Sequence, residues 1–418
     1  MAESSRIIIS LLLGLLLGVV LRQYGNDGLI ATAQLAVVVG ELWLRLLQMS
    51  VLPLLVSLLI TGVCGAREQA GRQQLALQSL WVFGGFLLAA TLVSAIAVPL
   101  ALQLWPVDPA AATALRDGVG ASTTAGEAPP LSRWLVDSLP SNPFQSAAEG
   151  AVLPLVVFVL FFALAAARLD PLKRAPIVAF FDGAAEALLT VVKAVLRVAV
   201  IGVFGLALGV GLRGGTAVAG AIAHYLILVC ALAGLLIALL YPAALVIGRL
   251  SLKRFASAAA PAQAVAFSTQ SSLASLPAML QATRDRLNLP AAVVDVALPL
   301  AVSLFKYTSP ALNLAVVLFV AHVLGVEIGV PTLLAGMAVA LVTSIGVAGI
   351  PGQASFLTTT VPIAAAMGVP NELLFLLLAV EVIPDLFRTI GNVSADILAC
   401  AVLTRLHPSP TDEPTDSD

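Results

Sequence analysis

The sequence predicts an all-α polytopic membrane protein, and three observations carry that prediction. Of 418 residues, 60% are hydrophobic and only 11% charged, with a mean hydropathy of +1.04. No soluble core of this size is so apolar. The apolar residues fall in long uninterrupted runs. Two further apolar stretches are too short to span and are broken, one by small polar residues and the other by glycines and a proline.

The long runs read as helices over 7–21, 29–63, 76–104, 151–166, 175–212 and 217–247. Several exceed the ~20 residues that cross a bilayer, which predicts tilt or a break. Pro53 and Pro154 are the expected break points. The first run follows Arg6 and lacks a small-residue cleavage pattern, so it reads as a span rather than a leader. Residues 105–132 are polar and rich in small side chains, as expected of an exposed loop. Residues 134–139 read as a short interfacial piece. The acidic, proline-containing end over 407–418 reads as a disordered tail.

Loop charge sets an expected orientation with both termini cytoplasmic. The inner loops then hold Arg6, Arg67, Arg72, Arg168, Lys173, Arg174, Arg249, Lys253, Arg254, Arg284, Arg286 and Arg405. The outer loops hold Arg22, Arg116, Arg133 and Arg213. This count requires the two interrupted stretches to be hairpins that enter and leave on one side.

The first such stretch runs from Ala256 to Phe267, turns at Ser268-Thr269-Gln270-Ser271-Ser272 and returns to Arg284. The second runs from Pro331 to Ile345, breaks at Gly346-Val347-Ala348-Gly349-Ile350-Pro351-Gly352 and returns to Met367. Irregular backbone at membrane depth survives only where protein buries it or water reaches it. Paired interrupted segments in two halves point to a transport site. The alternative is a set of ordinary short helices, which fits the loop charges poorly.

The last apolar stretch, 373–403, carries Glu381, Asp385, Arg388, Asn392 and Asp396. At about 100° per residue, all five fall within roughly an 80° sector of one helix. Ionisable groups at membrane depth mark a substrate or ion site by default. Helices starting at the two tips would aim free N–H groups into that site. Ser271 and Ser272 suit an N-cap at the first tip, and Gly349 and Gly352 allow close backbone approach at the second. Arg388 can hold a carboxylate in a bidentate fork, Asp385 an ammonium, and Asn392 can donate and accept. Two anionic groups and one cationic group describe an acidic amino acid. The competing reading is an ion-pair network of Arg388 with Asp385 and Asp396 that only locks helices.

Other classes fit less well. Net charge is −2, so nothing suggests a nucleic-acid partner. Cys64, Cys230 and Cys400 lie far apart in apolar segments, and neither a disulfide framework nor a metal site is suggested. His224 and His322 read as helix-end residues. An intramembrane hydrolase would need a base at motif spacing from Ser271 or Ser272, and none is present, so no enzyme is expected. No phosphate-binding loop supports a primary pump. Nothing resembles a channel filter.

The stretch Asp385-Leu-Phe-Arg388-Thr389-Ile-Gly-Asn392-Val-Ser-Ala-Asp396 resembles the last helix of the glutamate transporter family, the dicarboxylate/amino acid:cation symporters. It follows their D-x-x-R-T-x-x-N-V-x-G-D pattern with alanine for the glycine. Ser271-Ser272-Leu273-Ala274-Ser275-Leu276-Pro277 is similar to the family's serine-rich tip, with one serine changed to leucine. Gly349-Ile350-Pro351-Gly352 is similar to its second tip.

The resemblance implies eight transmembrane helices, two re-entrant hairpins, inverted repeats, a homotrimer among membrane lipids and an elevator mechanism. It implies scaffold helices over 1–73 and 131–214. A transport-domain helix and extracellular loop would occupy 74–130, and the rest of the transport domain 215–406. It assigns Arg388 to the substrate side-chain carboxylate and Asp385 to its amino group. Asn392 and the two tips, including Ser271, Ser272, Gly349, Pro351 and Gly352, would hold the α-carboxylate, with Thr389 beside them. Asp396 becomes a cation ligand, and Ser309 keeps a hydroxyl toward the substrate. The expected cargo is an acidic amino acid or a dicarboxylate, with Na+ or H+ as coupling ion and no cofactor.

One departure stands out. Where the family usually reads N-M-D-G-T, this chain has Phe305-Lys306-Tyr307-Thr308-Ser309, and Phe86, Ala89 and Ala90 replace hydroxyls in the third span. Two sodium sites are thus expected to be dismantled. Lys306, Tyr307, Asn392, Asp396 and Glu381 form the expected coupling group, with Lys306, Glu381 and Asp385 as candidate proton carriers.

Overall fold

A computed structural model describes residues 2–70, 74–119, 136, 139–149, 152–215, 217–345 and 352–406. These residues are almost wholly helical. The helices are α1 (Ala2–Tyr24), α2 (Asp27–Ala70), α3 (Gln74–Leu104), α4 (Pro109–Val119), α5 (Pro143–Ala148), α6 (Val152–Ala166), α7 (Pro171–Arg197), α8 (Ala199–Gly214) and α9 (Ala217–Val246). They continue as α10 (Leu252–Thr269), α11 (Ser272–Asp285), α12 (Ala291–Leu304), α13 (Ser309–Leu324), α14 (Val330–Ile345), α15 (Gly352–Ala366), α16 (Glu372–Leu377) and α17 (Val382–Leu406). Among the described residues, six stretches are long and apolar enough to cross a membrane.

The sequence reading holds in outline and fails at particular joints. Pro53 does not break α2, which runs through it, and Ser57 Oγ donates to the Pro53 carbonyl at 2.9 Å. Pro154 lies in the first turn of α6, where its missing N–H costs nothing. The run 175–212 is two helices, divided at Val198. The expected loop over 105–132 contains α4, whose Leu115 is fully buried and whose Asp108 carboxylate accepts the Ala110 N–H at 2.7 Å. Residues 120–132, most of the 134–139 piece, the tip over 346–351 and the tail 407–418 lie outside the described residues.

Helices α1, α2, α6, α7 and α8 pack mainly on one another. Glycines in α8 let backbones meet: Trp43 covers Gly202 and its Nε1 donates to the Val195 carbonyl at 3.0 Å. Such small-residue contacts replace the hydrophobic drive that lipid removes. Helices α9 to α17, with α3, form the second set of contacts. Helices α10 and α11 pack together and both touch α17, while α14 and α15 form a matching pair beside α13. Burial ranks the elements: of the most apolar 18 residues within Ala291–Leu324, 94% are buried, against 11% within Pro171–Arg197. The broken helix α12–α13 is therefore the centre, and α7 presents its apolar surface outward.

A Cβ on Gly205 would stand 2.2 Å from the Ala36 carbonyl oxygen, whereas one on Gly220 meets nothing within 4 Å. We expect Gly205→Ala to cost about 1–3 kcal/mol and Gly220→Ala to change little. Melting temperatures of the detergent-purified variants check this.

Candidate functional site

The site forms where the break between α12 and α13 packs against α17. Helix α12 ends at Phe305, whose extended backbone (φ −102°, ψ 99°) turns the chain out of the helix. Helix α13 begins after Thr308. Thr308 is held from α17: its N–H and its hydroxyl both reach Asn392 Oδ1 at 2.9 Å, and the hydroxyl lies 3.1 Å from the Arg388 carbonyl. A carboxamide thus satisfies backbone that the break has orphaned. Gly391 makes the approach feasible, because a Cβ there would lie 2.5 Å from Thr308 Cγ2.

The stripe over 373–403 is not one helix. The chain leaves α16 at Leu378 and re-enters helix at Val382. Glu381 stands at the start of α17, where its carbonyl accepts the Asp385 N–H at 2.9 Å. Its carboxylate is buried and doubly engaged. Tyr225 OH of α9 donates to Oε2 at 2.6 Å, and Arg388 Nη2 pairs with Oε1. Arg388 Nη1 donates to Asn313 Oδ1 at 2.7 Å, and Asn313 Nδ2 donates to Thr359 Oγ1 at 2.7 Å. Asp385 lies 3.8 Å from Arg388 Nε. The guanidinium therefore ties together α9, α13, α15 and α17. Of the ion pairs weighed from sequence, Arg388–Asp385 forms loosely and Arg388–Asp396 does not form. The dominant partner is Glu381.

The remaining residues fall into three groups. Ser271 is the N-cap of α11 and accepts the Ala274 N–H at 3.2 Å, Gln270 before it adopts φ 53°, and Ser272 is buried at the helix start. Ser309 opens α13, and Gly352 opens α15, while Gly349 and Pro351 lie outside the described residues. Thr389 directs its hydroxyl back to the Asp385 carbonyl at 2.9 Å. Tyr307 points away from the acids, its OH 3.3 Å from the Leu236 carbonyl. Phe305 stacks on Phe83 at 4.7 Å between ring centroids, and Phe86 meets Phe305 and Tyr307 edge-on. Aromatic carbon fills the flank of the break that faces α3. Asp396 is 1% exposed, neither of its oxygens accepts a hydrogen bond, and Lys306 is the cation whose charge acts on it.

Sequence reasoning missed Tyr225, Asn313, Thr308 and Thr359. The first two were detectable as a phenol and a carboxamide within otherwise largely apolar helices. The two threonines carried no such signal, because a threonine can satisfy its hydroxyl on its own helix. Among the described residues no cluster of three or more His, Cys, Asp or Glu side chains could hold a metal ion.

The profile of the sodium:dicarboxylate symporter family matches residues 4–406. The chain belongs to this family. It is 28% identical to the proton/sodium-glutamate symport protein of Bacillus subtilis (strain 168), over 96% of this chain and 92% of that protein. It is 24% identical to the proton/glutamate-aspartate symporter of Escherichia coli (strain K12), over 96% and 93%. It is 27% identical to a C4-dicarboxylate transport protein of Anaeromyxobacter sp. (strain K), over 95% and 89%. The family consists of symporters embedded in membranes, not of enzymes.

Asn313→Leu should strand one guanidinium N–H of Arg388, while the Thr359 hydroxyl keeps its bond to the Ser355 carbonyl. We expect a loss of about 1.5–3 kcal/mol, read as a lower melting temperature than that of Asn371→Leu, which lies outside the network.

Proposed function

We propose that this symporter carries acidic amino acids, aspartate or glutamate, and that protons or exchange drive it in place of sodium. The observation that carries the reading is the buried Arg388 with Asp385 at 3.8 Å. A guanidinium fork and an adjacent carboxylate present the complement of a side-chain carboxylate and an ammonium. Asn392 and the two tips, with Ser271, Ser272, Gly349, Pro351 and Gly352, would hold the α-carboxylate, and Ser309 would face the substrate side chain, with Thr389 completing the substrate-binding set. Asn392 has its oxygen engaged by Thr308, so it meets the substrate through its amide N–H groups.

Glu381 supplies the coupling. It already holds Arg388 as a substrate carboxylate would. A substrate that takes the guanidinium leaves Glu381 with Tyr225 alone, and a buried carboxylate without its cation is costly. Proton uptake by Glu381 removes that cost, so substrate and proton bind together. Asp385 and Lys306 are further proton carriers in this reading.

The architecture belongs to the same proposal. Eight spanning helices and two re-entrant hairpins, α10–α11 and α14–α15, form inverted repeats. A transport domain moves by an elevator motion against the scaffold of a homotrimer in the plasma (inner) membrane, with both termini cytoplasmic. The second reading, a sodium-coupled carrier of dicarboxylates or other amino acids, draws on the family name and on the C4-dicarboxylate relative. Asp385 opposes it, since a dicarboxylate offers that acid no cation. An anion channel is a third reading, which saturable counterflow would exclude.

Proteoliposome uptake of aspartate, glutamate and succinate under imposed proton and sodium gradients tests this. Aspartate or glutamate accumulation should follow the proton gradient and persist without sodium; steep sodium dependence at fixed pH would refute it. Arg388→Ala should weaken aspartate or glutamate binding by roughly 30-fold or more. Asp385→Asn should weaken amino acid binding while sparing succinate.

A further inference from the structure

Asp396 poses a problem that neither the substrate site nor Glu381 resolves. Its carboxylate is 1% exposed, and it lacks a hydrogen-bond donor at both oxygens. A buried charge in that condition needs a cation. The family is named for sodium, and a resident metal ion is the obvious remedy. The surroundings supply little for one. Phe305 is fully buried against Phe83 and Phe86, and Tyr307 turns its hydroxyl to Leu236. Asn392 Oδ1 is taken by Thr308. A sodium ion wants several oxygen ligands, and these side chains offer carbon or oxygens already bonded.

Lys306 sits between Phe305 and Tyr307 in the interruption itself, and its charge acts on Asp396 and on Asp385. It forms no direct hydrogen bond to Asp396. A four-carbon stem rooted in non-helical backbone can carry the ammonium toward either acid. The end of α12 adds a negative dipole end beside it.

We propose that Lys306 is a resident counter-cation: its ammonium takes the place of a sodium ion for Asp396 and exchanges between Asp396 and Asp385 as substrate comes and goes. With the substrate site empty, the ammonium is shared with Asp385. A substrate ammonium arriving at Asp385 displaces it toward Asp396. Binding at the substrate site thereby compensates the deeper acid, which in a metal-dependent design would take up an ion from solution. The alternation deepens the substrate reading given above and rests on it; the counter-cation role does not.

The test reads sodium binding without transport. Purified full-length protein without substrate is melted in sodium chloride and in choline chloride at equal ionic strength. Wild type and Lys306→Arg should show no sodium-specific shift. Lys306→Met leaves Asp396 needing a cation, so sodium should raise its melting temperature by roughly 2 °C or more. Lys306→Met with Asp396→Asn should lose that response. A sodium shift already present in wild type, or none in Lys306→Met, overturns the proposal. If Lys306→Met is too unstable to purify, the double variant should purify at wild-type yield; its failure would assign Lys306 a packing role and overturn the proposal too. Loss of aspartate binding in wild type, with these sodium responses intact, would instead refute the substrate reading and with it the alternation.

Discussion

The contact between Asn392 and Thr308 is the constraint from which the rest of the site follows. A helix interrupted inside an apolar bundle exposes backbone N–H and C=O groups with no water to receive them. Here the Thr308 N–H and hydroxyl converge on one carboxamide oxygen of the neighbouring helix. That joint lets α12–α13 be broken at its most buried point. Once broken, the chain places Lys306 in the gap and a helix start at Ser309, and it fixes Arg388 one turn from Asn392 on α17.

Arg388 then integrates the surrounding helices. A buried guanidinium is tolerated only if its donors are answered. The answers come from Glu381, Asn313 and, at 3.8 Å, Asp385. Thr359 brings α15 into the same network through Asn313, and Tyr225 brings α9 in through Glu381. Helices that contribute one polar residue each are thereby held in register, although their packing surfaces are almost uniformly apolar and could slide. A ligand carboxylate at Arg388 would perturb all of them at once. This is a physical route from binding to a change in how α15, the returning arm of the second pair, sits on α13.

How much of this was legible beforehand depended on the kind of signal. The membrane class and the α10–α11 turn at Gln270 and Ser271 were readable, because composition and serine caps are local. Pro53 misled, since a long helix held by its packing partners runs through the proline despite the lost Pro53 N–H. The placement of α4 was hidden because its small residues bury against neighbours distant in sequence. Arg388 was recognised as central, yet its partner was misjudged. The helical projection put Glu381 on the same face as Asp396, whereas the unwinding at 378–381 frees Glu381 to fold back on Arg388. Tertiary partners such as Tyr225 and Asn313 leave no mark in their own flanking sequence beyond being polar where nothing else is.

The charge balance of the site shows why its two resident stand-ins belong together. Glu381, Asp385 and Asp396 face Arg388 and Lys306, so three acids meet two bases and one negative charge is left when all are ionised. Glu381 occupies the arginine as a substrate carboxylate would, and Lys306 serves the acids as a substrate ammonium would. The empty site therefore carries internal counterparts of an acidic amino acid's side-chain carboxylate and ammonium, with no counterpart of its α-carboxylate. In the proposed reading it needs no solution ion beyond one proton. An acidic amino acid bound at neutral pH adds one further negative charge, and moving that excess through a low-dielectric path is unfavourable unless a positive charge travels with it. A proton on displaced Glu381 meets that need within the cluster itself. Exchange meets it differently, because loaded domains moving in both directions carry the same charge. Sodium is required by neither route. A site in which a lysine takes the place of a metal cation, as proposed, could thus still bias transport, provided one of its acids is free to gain a proton when the substrate arrives.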